Sequence, residues 1–310
     1  TKYLMQGLIL KATSQDNFMQ AFQKALDIDP QHPGVKYLIN ELVNLRNSDL
    51  EDLERMDYNN LIQQGLVYLE NRVYDKAAIL FNKALDLKPK SAIGRYNLGV
   101  VYYGQGRLDR AQTQLNSAIA ERDDHAPSFH MRGSIMMAKG DKEKAISDYT
   151  QALTLDHNYW LAYNNRGITY ASLGEFKMAL NDFNKVIELN EDYATAYFNR
   201  GLLYQSGFQQ LGLQELDGIS MAINEYGKSI RLDPDYVKAL SNRGMLYATL
   251  ENYDLAIGDL SRVIALNPDL ADAYYTRGLT YQMQGDETRS ELDFQMAIQL
   301  DSSYKDRIQN

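Results

Sequence analysis

The chain has 310 residues, with 41 Asp and Glu against 32 Lys and Arg, a formal net charge of −9, and only 6 Pro. That balance fits an all-helical protein, leaves little room for strands or long loops, and argues against nucleic acid as a partner. The absence of Cys excludes disulfides and thiol chemistry, and no apolar run approaches the roughly 18 residues that a membrane helix needs.

The chain opens on Thr1 with no signal-peptide pattern, as a processed product or a piece of a longer protein would, and its composition suits cytoplasm and periplasm equally. Residues 1–33 read as a degenerate helix pair, with Leu4, Leu8 and Leu10 on a short first helix and Phe18, Phe22, Ala25 and Leu26 on a second that stops at Pro30. His32, Pro33 and Gly34 then break the chain. Residues 34–57 are expected to be an irregular helical connector, with a capping box at Ser48 and Glu51.

From residue 58 a pattern repeats. The units are 58–91, 92–125, 126–159, 160–193, 194–236, 237–270 and 271–304, all but one of 34 residues, followed by a tail at 305–310. In the unit that opens at Trp160, Tyr163, Gly167 and Tyr170 share a helical stripe, Gly174 marks a turn, and Phe176, Ala179, Phe183 and Val186 begin a second stripe. Each unit is therefore helix, turn, helix. Gly65, Gly99, Gly133, Gly167, Gly201, Gly244 and Gly278 hold the eighth position, faced by Ala77, Ala111, Ala145, Ala179, Ala222, Ala256 and Ser290 on the second helix. Small residues at both positions let two helices cross closely, which is the reason to keep a glycine where it costs helix propensity.

These landmarks, with helix stops such as Pro89, Pro234 and Pro268, resemble the tetratricopeptide repeat over 58–304. The resemblance implies an all-α solenoid, a right-handed superhelix of antiparallel helix pairs. It also implies a concave groove lined by the second, fifth, sixth, ninth and twelfth residues of each unit.

From 126 onward each unit places an arginine before its glycine and an acid on its second helix: Arg132 and Asp148, Arg166 and Asp182, Arg200 and Glu225, Arg243 and Asp259, Arg277 and Asp293. The first two units have Gln64 with Leu80 and Leu98 with Gln114, so arginine and acid occur together or not at all. That internal covariation predicts bidentate ion pairs within repeats, structural and not catalytic. The unit 194–236 carries nine extra residues at 208–216, with Phe208, Leu211, Leu213 and Leu216 among Gln and Glu. They are expected to lengthen a helix and tuck onto a neighbour; the sharper alternative is a partner contact at the rim.

On the implied groove, the sixth residue is Asn97, Asn165, Asn199 and Asn242, with Gln63, Met131 and Thr276 elsewhere. An amide side chain matches the donors and acceptor of a peptide group, so a row of them suits an extended backbone. The alternative, that asparagine is a tolerated polar residue on an exposed face, stays open. Tyr96, Tyr103, Phe198, Met131, Met137, Met245 and Tyr275 would form side-chain pockets. A clamp for acidic carboxyl termini needs bases on this stripe, and only Lys238 and His130 are there, against Glu70 and Asp272.

The remaining tyrosines mostly fill packing positions. His32, His125, His130 and His157 have no metal-ligand spacing and read as solvated or capping, and Gly104 to Gly106 reads as a turn because no strand precedes it. No cofactor is implied. The expected role is a non-enzymatic adaptor that offers a preformed groove to a segment of another protein. Two alternatives are a structural subunit of a larger complex, docking through its ends, insertion or convex face, and the recognition arm of a larger enzyme.

Overall fold

The computed structural model describes residues 56–309. The degenerate pair expected at 1–33 and nearly all of the connector at 34–57 lie outside the described residues. Fifteen helices and no strand occur among those described: α1 Tyr58–Glu70, α2 Tyr74–Leu87, α3 Ala92–Gly104, α4 Leu108–Glu121, α5 Ala126–Ala138, α6 Lys142–Leu155, α7 Trp160–Ser172, α8 Phe176–Leu189, α9 Ala194–Gly207, α10 Glu215–Leu232, α11 Val237–Thr249, α12 Tyr253–Leu266, α13 Ala271–Gln284, α14 Glu287–Leu300 and α15 Tyr304–Gln309. They divide into two compact units, one ending at Arg107 and one starting at Leu108, so the boundary falls inside the repeat read as 92–125.

In the first unit α1 pairs with α2, and α3 packs on both. Leu61, Phe81, Leu98 and Val101 share the core between them. In the second unit each helix from α4 to α15 packs on the next. The first helices of successive repeats also touch, α5 with α7, α7 with α9 and α11 with α13.

The repeated glycine has a definite steric cause. A Cβ on Gly133, Gly167, Gly201 or Gly278 would lie 2.7–2.8 Å from the ring of Tyr149, Phe183, Tyr226 or Phe294 respectively. The room left by the missing side chain is taken by an aromatic ring of the second helix, one turn beyond the buried alanine. Tyr149, Phe183 and Tyr226 are accordingly almost fully buried. Burying a large ring in these four repeats outweighs the roughly 1 kcal/mol that glycine costs a helix.

The inter-helix turns close with a hydrogen bond from just past the helix back to its last turn, as from Arg107 N to Tyr102 O and from Glu175 N to Tyr170 O. The residue before the donor is left-handed. Gly106, Gly140, Gly174 and Gly285 adopt it with φ between 73 and 87°, whereas Arg72 and Glu251 hold φ of 59° at the same repeat position.

The insertion resolves into two parts. It extends α10 to 18 residues, where the other second helices have 14. It also leaves a loop at 208–214, whose Leu211 packs on the cluster of Ala179, Phe183 and Leu203. Leu216 does not tuck in and is two-thirds exposed. At the C-terminus, α15 folds back. Tyr304 is buried, stacks on Tyr275 with ring centroids 5.0 Å apart, and donates to the Asp272 carboxylate at 2.9 Å.

Candidate functional site

The first helices of the second unit carry both of the side-chain systems singled out in the sequence. The arginines point toward the second helices. Arg132, Arg166, Arg243 and Arg277 each donate from Nε and Nη2 to the two oxygens of Asp148, Asp182, Asp259 and Asp293 at 2.7–2.8 Å. In the repeat with the insertion, Arg200 places both donors on one oxygen of Glu225, at 2.9 and 2.6 Å, and Lys228 takes the other at 2.7 Å.

A third contact was not foreseen. The Nη1 of Arg132, Arg166, Arg200 and Arg277 reaches back to Asn116, Thr150, Asn184 and Ser261 on the preceding second helix, at 2.8–3.0 Å. Each partner lies 16 residues before its arginine. The fifth counterpart is Gly227, which has no side chain to offer Arg243. A signal for this existed in the sequence as a polar residue at one repeat position. Aromatic rings flank the guanidinium, with Tyr163 and Tyr170 at 5.5 and 5.8 Å from that of Arg166. The ion pair with Asp182 holds Arg166 above the usual guanidinium range although burial opposes it.

The asparagines sit between helices, not simply on an open face. Asn165 donates its amide to His130 Nε2 at 2.9 Å and accepts from Asn164 at 3.2 Å, while Asn199 donates to Asn164 Oδ1 at 3.1 Å. Asn242 donates to the Tyr226 hydroxyl at 3.4 Å. In the first unit Asn97 is buried beside half-buried Tyr96, and Tyr103 is exposed. Thus Asn165, Asn199 and Asn242 each spend a donor within the chain. Asn165 and Asn199 fall where neighbouring first helices abut, whereas Asn242 meets the preceding second helix, and the sequence stripe alone did not show either contact.

Three further expectations need correction. His130 is neither solvated nor capping: it is buried against Tyr149 and Tyr159, and burial pushes its pKa down to about 4. Because an amide N–H can only donate, Nε2 accepts from Asn165 and Nδ1 carries the proton toward the Tyr159 hydroxyl at 3.2 Å. This neutral ring supplies no positive charge. Phe198 belongs to the core, with Tyr226 and Tyr236 rings 5.7 and 5.2 Å away, so it lines no pocket. Tyr275 is covered by Phe294 and Tyr304. Lys238 is exposed.

The same helices also expose apolar side chains. Ile168, Leu202 and Met245 occupy the ninth position of three consecutive repeats and are each a little over one-third exposed, with Leu161 beside them at the second position. Among the described residues no three His, Asp or Glu side chains converge as metal ligands would. No described helix is long and apolar enough to cross a membrane.

Three family models match: tetratricopeptide repeat over 160–193, TPR repeat over 133–174 and 246–285, and a further tetratricopeptide repeat model over 62–127, together more than half of the chain. The chain is a tetratricopeptide-repeat protein. Among solved structures, the tetratricopeptide fold superposes on PilF of Pseudomonas aeruginosa with TM-score 0.61 at 20% identity, covering 74% of this chain and 97% of that one. Cut9, in the APC/C hetero-tetramer with Hcn1, matches with TM-score 0.60 at 18% identity over 97% of this chain and 52% of that one. YrrB, a TPR protein with an unusual peptide-binding site, matches with TM-score 0.50 at 21% identity over 61% of this chain and 92% of that one. No curated protein matches the chain. Tetratricopeptide repeats are protein-interaction modules in general, and likeness at these identities carries the fold alone.

Proposed function

We propose that this tetratricopeptide protein is a non-enzymatic adaptor that holds a segment of a partner protein against the first-helix face of its second compact unit. The observation that carries the reading is the apolar ladder of Ile168, Leu202 and Met245, repeated at one position across three repeats and left in water. A ladder of this kind costs solubility unless something covers it.

The asparagines take a structural part beside the proposed peptide contact. The amide bonds of Asn165 and Asn199 tie consecutive first helices together, which fixes the ladder before a partner arrives and lowers the ordering cost of binding. The carbonyl oxygens of Asn199 and Asn242 accept no internal bond among the described residues and remain suited to a partner N–H. The peptide contacts proposed in the second unit are therefore Asn165, Asn199, Asn242 and Lys238 beside the ladder. Asn97, Tyr96 and Tyr103 are proposed as contacts of the first unit, Tyr103 being the exposed one.

Ion pairs within repeats commit Arg132, Arg166, Arg200, Arg243 and Arg277 internally, so these five are not available to a nucleic-acid backbone. YrrB carries a peptide-binding site and Cut9 assembles with Hcn1, which supports partner binding as the class of role.

The test compares wild type with the Ile168→Asp, Leu202→Asp, Met245→Asp variant in quantitative capture of partners from the native host. Circular dichroism confirms equal helicity. Loss of a partner in a fully helical variant supports the reading, and unchanged capture of every partner refutes it.

A further inference from the structure

The residue just before the small Ala or Ser of each second helix changes character along the chain. Third in the 14-residue second helices and seventh in the longer α10, it is Lys76, Arg110 and Lys144 in three early repeats and Arg289 in the last, but Met178, Met221 and Leu255 in the three consecutive repeats between. These three are 37–55% exposed. They lie on the second helices, away from the ladder proposed above.

The insertion precedes the middle one of these three, Met221. Its loop at 208–214 closes on itself through Leu211 N to Gly207 O, Gly212 N to Gln209 O and Leu213 N to Phe208 O, at 2.8–3.0 Å. With Gly212 at φ 77° and Leu211 anchored on the Phe183 cluster, the loop is a formed wall. It encloses a cleft of about 380 Å³ lined by Lys177, Leu180, Asn181, Tyr204, Leu211, Leu213 and Met221. No other repeat has these nine extra residues.

The chemistry of the cleft selects its occupant. Leu180, Leu211, Leu213 and Met221 give apolar walls, and methionine adapts its shape to what enters. The single ionised group is Lys177, exposed and in no ion pair among the described residues. Beside it Asn181 and Tyr204 can donate hydrogen bonds. One unpaired ammonium at the edge of an apolar cleft complements an apolar group that carries a carboxylate.

We propose that the insertion builds a second docking site, independent of the first-helix face, for an apolar side chain flanked by Asp or Glu on an exposed acidic segment of a partner protein. The apolar side chain enters between Leu213 and Met221, its acidic neighbour meets Lys177, and Met178 and Leu255 extend the contact along adjoining repeats.

The test is carbon-13 methyl NMR of the methionines in the full chain, titrated to millimolar concentration with Ac-Glu-Asp-Leu-Phe-NH2, Ac-Lys-Lys-Leu-Phe-NH2 and Ac-Glu-Asp-Ser-Ser-NH2. The expected result is a saturable shift of the Met221 methyl with the first peptide alone. Lys177→Glu should weaken it by about tenfold, the scale of reversing one surface ion pair. Leu213→Asp, in a loop outside the helices, should abolish it with far-ultraviolet circular dichroism unchanged. Absence of a Met221 shift, an equal response to the lysine peptide, or indifference to Lys177→Glu overturns the proposal. So does a shift that follows protein concentration without peptide, which assigns the patch to a second copy of the chain.

Discussion

Removing Asp182 should be far more damaging than removing the whole ion pair to which it belongs. Asp182 accepts from Arg166 Nε and Nη2 at 2.8 Å each, and the two side chains are 6% and 17% exposed. In Asp182→Leu the guanidinium stays charged, loses both partners, and keeps only the 3.0 Å bond from Nη1 to Thr150. A charge stranded in this way costs about 3–5 kcal/mol. In the double variant Arg166→Met, Asp182→Leu no charge is left, apolar side chains fill comparable volume, and Thr150 is exposed enough to turn to water. Its stability should lie within about 1 kcal/mol of wild type. Repeat arrays need not unfold as one unit, so urea denaturation should be paired with hydrogen exchange of the amides of α7 and α8. A single variant costing less than about 1 kcal/mol, or a double variant as unstable as the single, would refute the reasoning.

Other outcomes follow from particular contacts. Gly167→Ala places a Cβ 2.8 Å from the buried Phe183 ring, so despite better helix propensity it should lose about 1–2 kcal/mol by urea denaturation. Glu251→Gly removes the cost of a left-handed residue at φ 59° and should gain up to about 1 kcal/mol, with a matching rise in melting temperature. His130 titrates near 6.5 when unfolded and about 4 when folded. The unfolded chain therefore binds the extra proton between those values. The stability given by the neutral ring is complete above pH 6.5 and is lost as pH falls toward 4, by up to about 3 kcal/mol. His130→Gln should flatten that part of the stability profile, and parallel profiles would contradict the assignment.

The periodic features were legible because each is stated several times in one chain. The 34-residue spacing set the helix pairs, and the joint presence of arginine and acid set the ion pairs with their second-helix partners. The contacts between repeats were harder to read. The polar residue 16 positions before each arginine recurs as Asn116, Thr150, Asn184 and Ser261, but its changing identity conceals a shared role. Asn165, Asn199 and His130 looked exposed because a helical stripe describes one helix and contains nothing about the next first helix packed beside it. Phe198 was misplaced for the same reason: its position is polar in Asn164 and Ser241, yet its ring turns into the core between Tyr226 and Tyr236. The cleft of the insertion was hidden more deeply, since it depends on how a loop of left-handed Gly212 and anchored Leu211 folds over α8.

The central claim concerns the face on which the partner lies. It is tested most directly by incorporating a photoreactive benzoylphenylalanine at Leu202 and, as control, at the exposed second-helix residue Glu188, then cross-linking the captured complex. The account predicts a cross-link from position 202 that maps to one segment of the partner and is absent from position 188. Cross-links from 188 alone, or none from 202 while the partner stays bound, would contradict it.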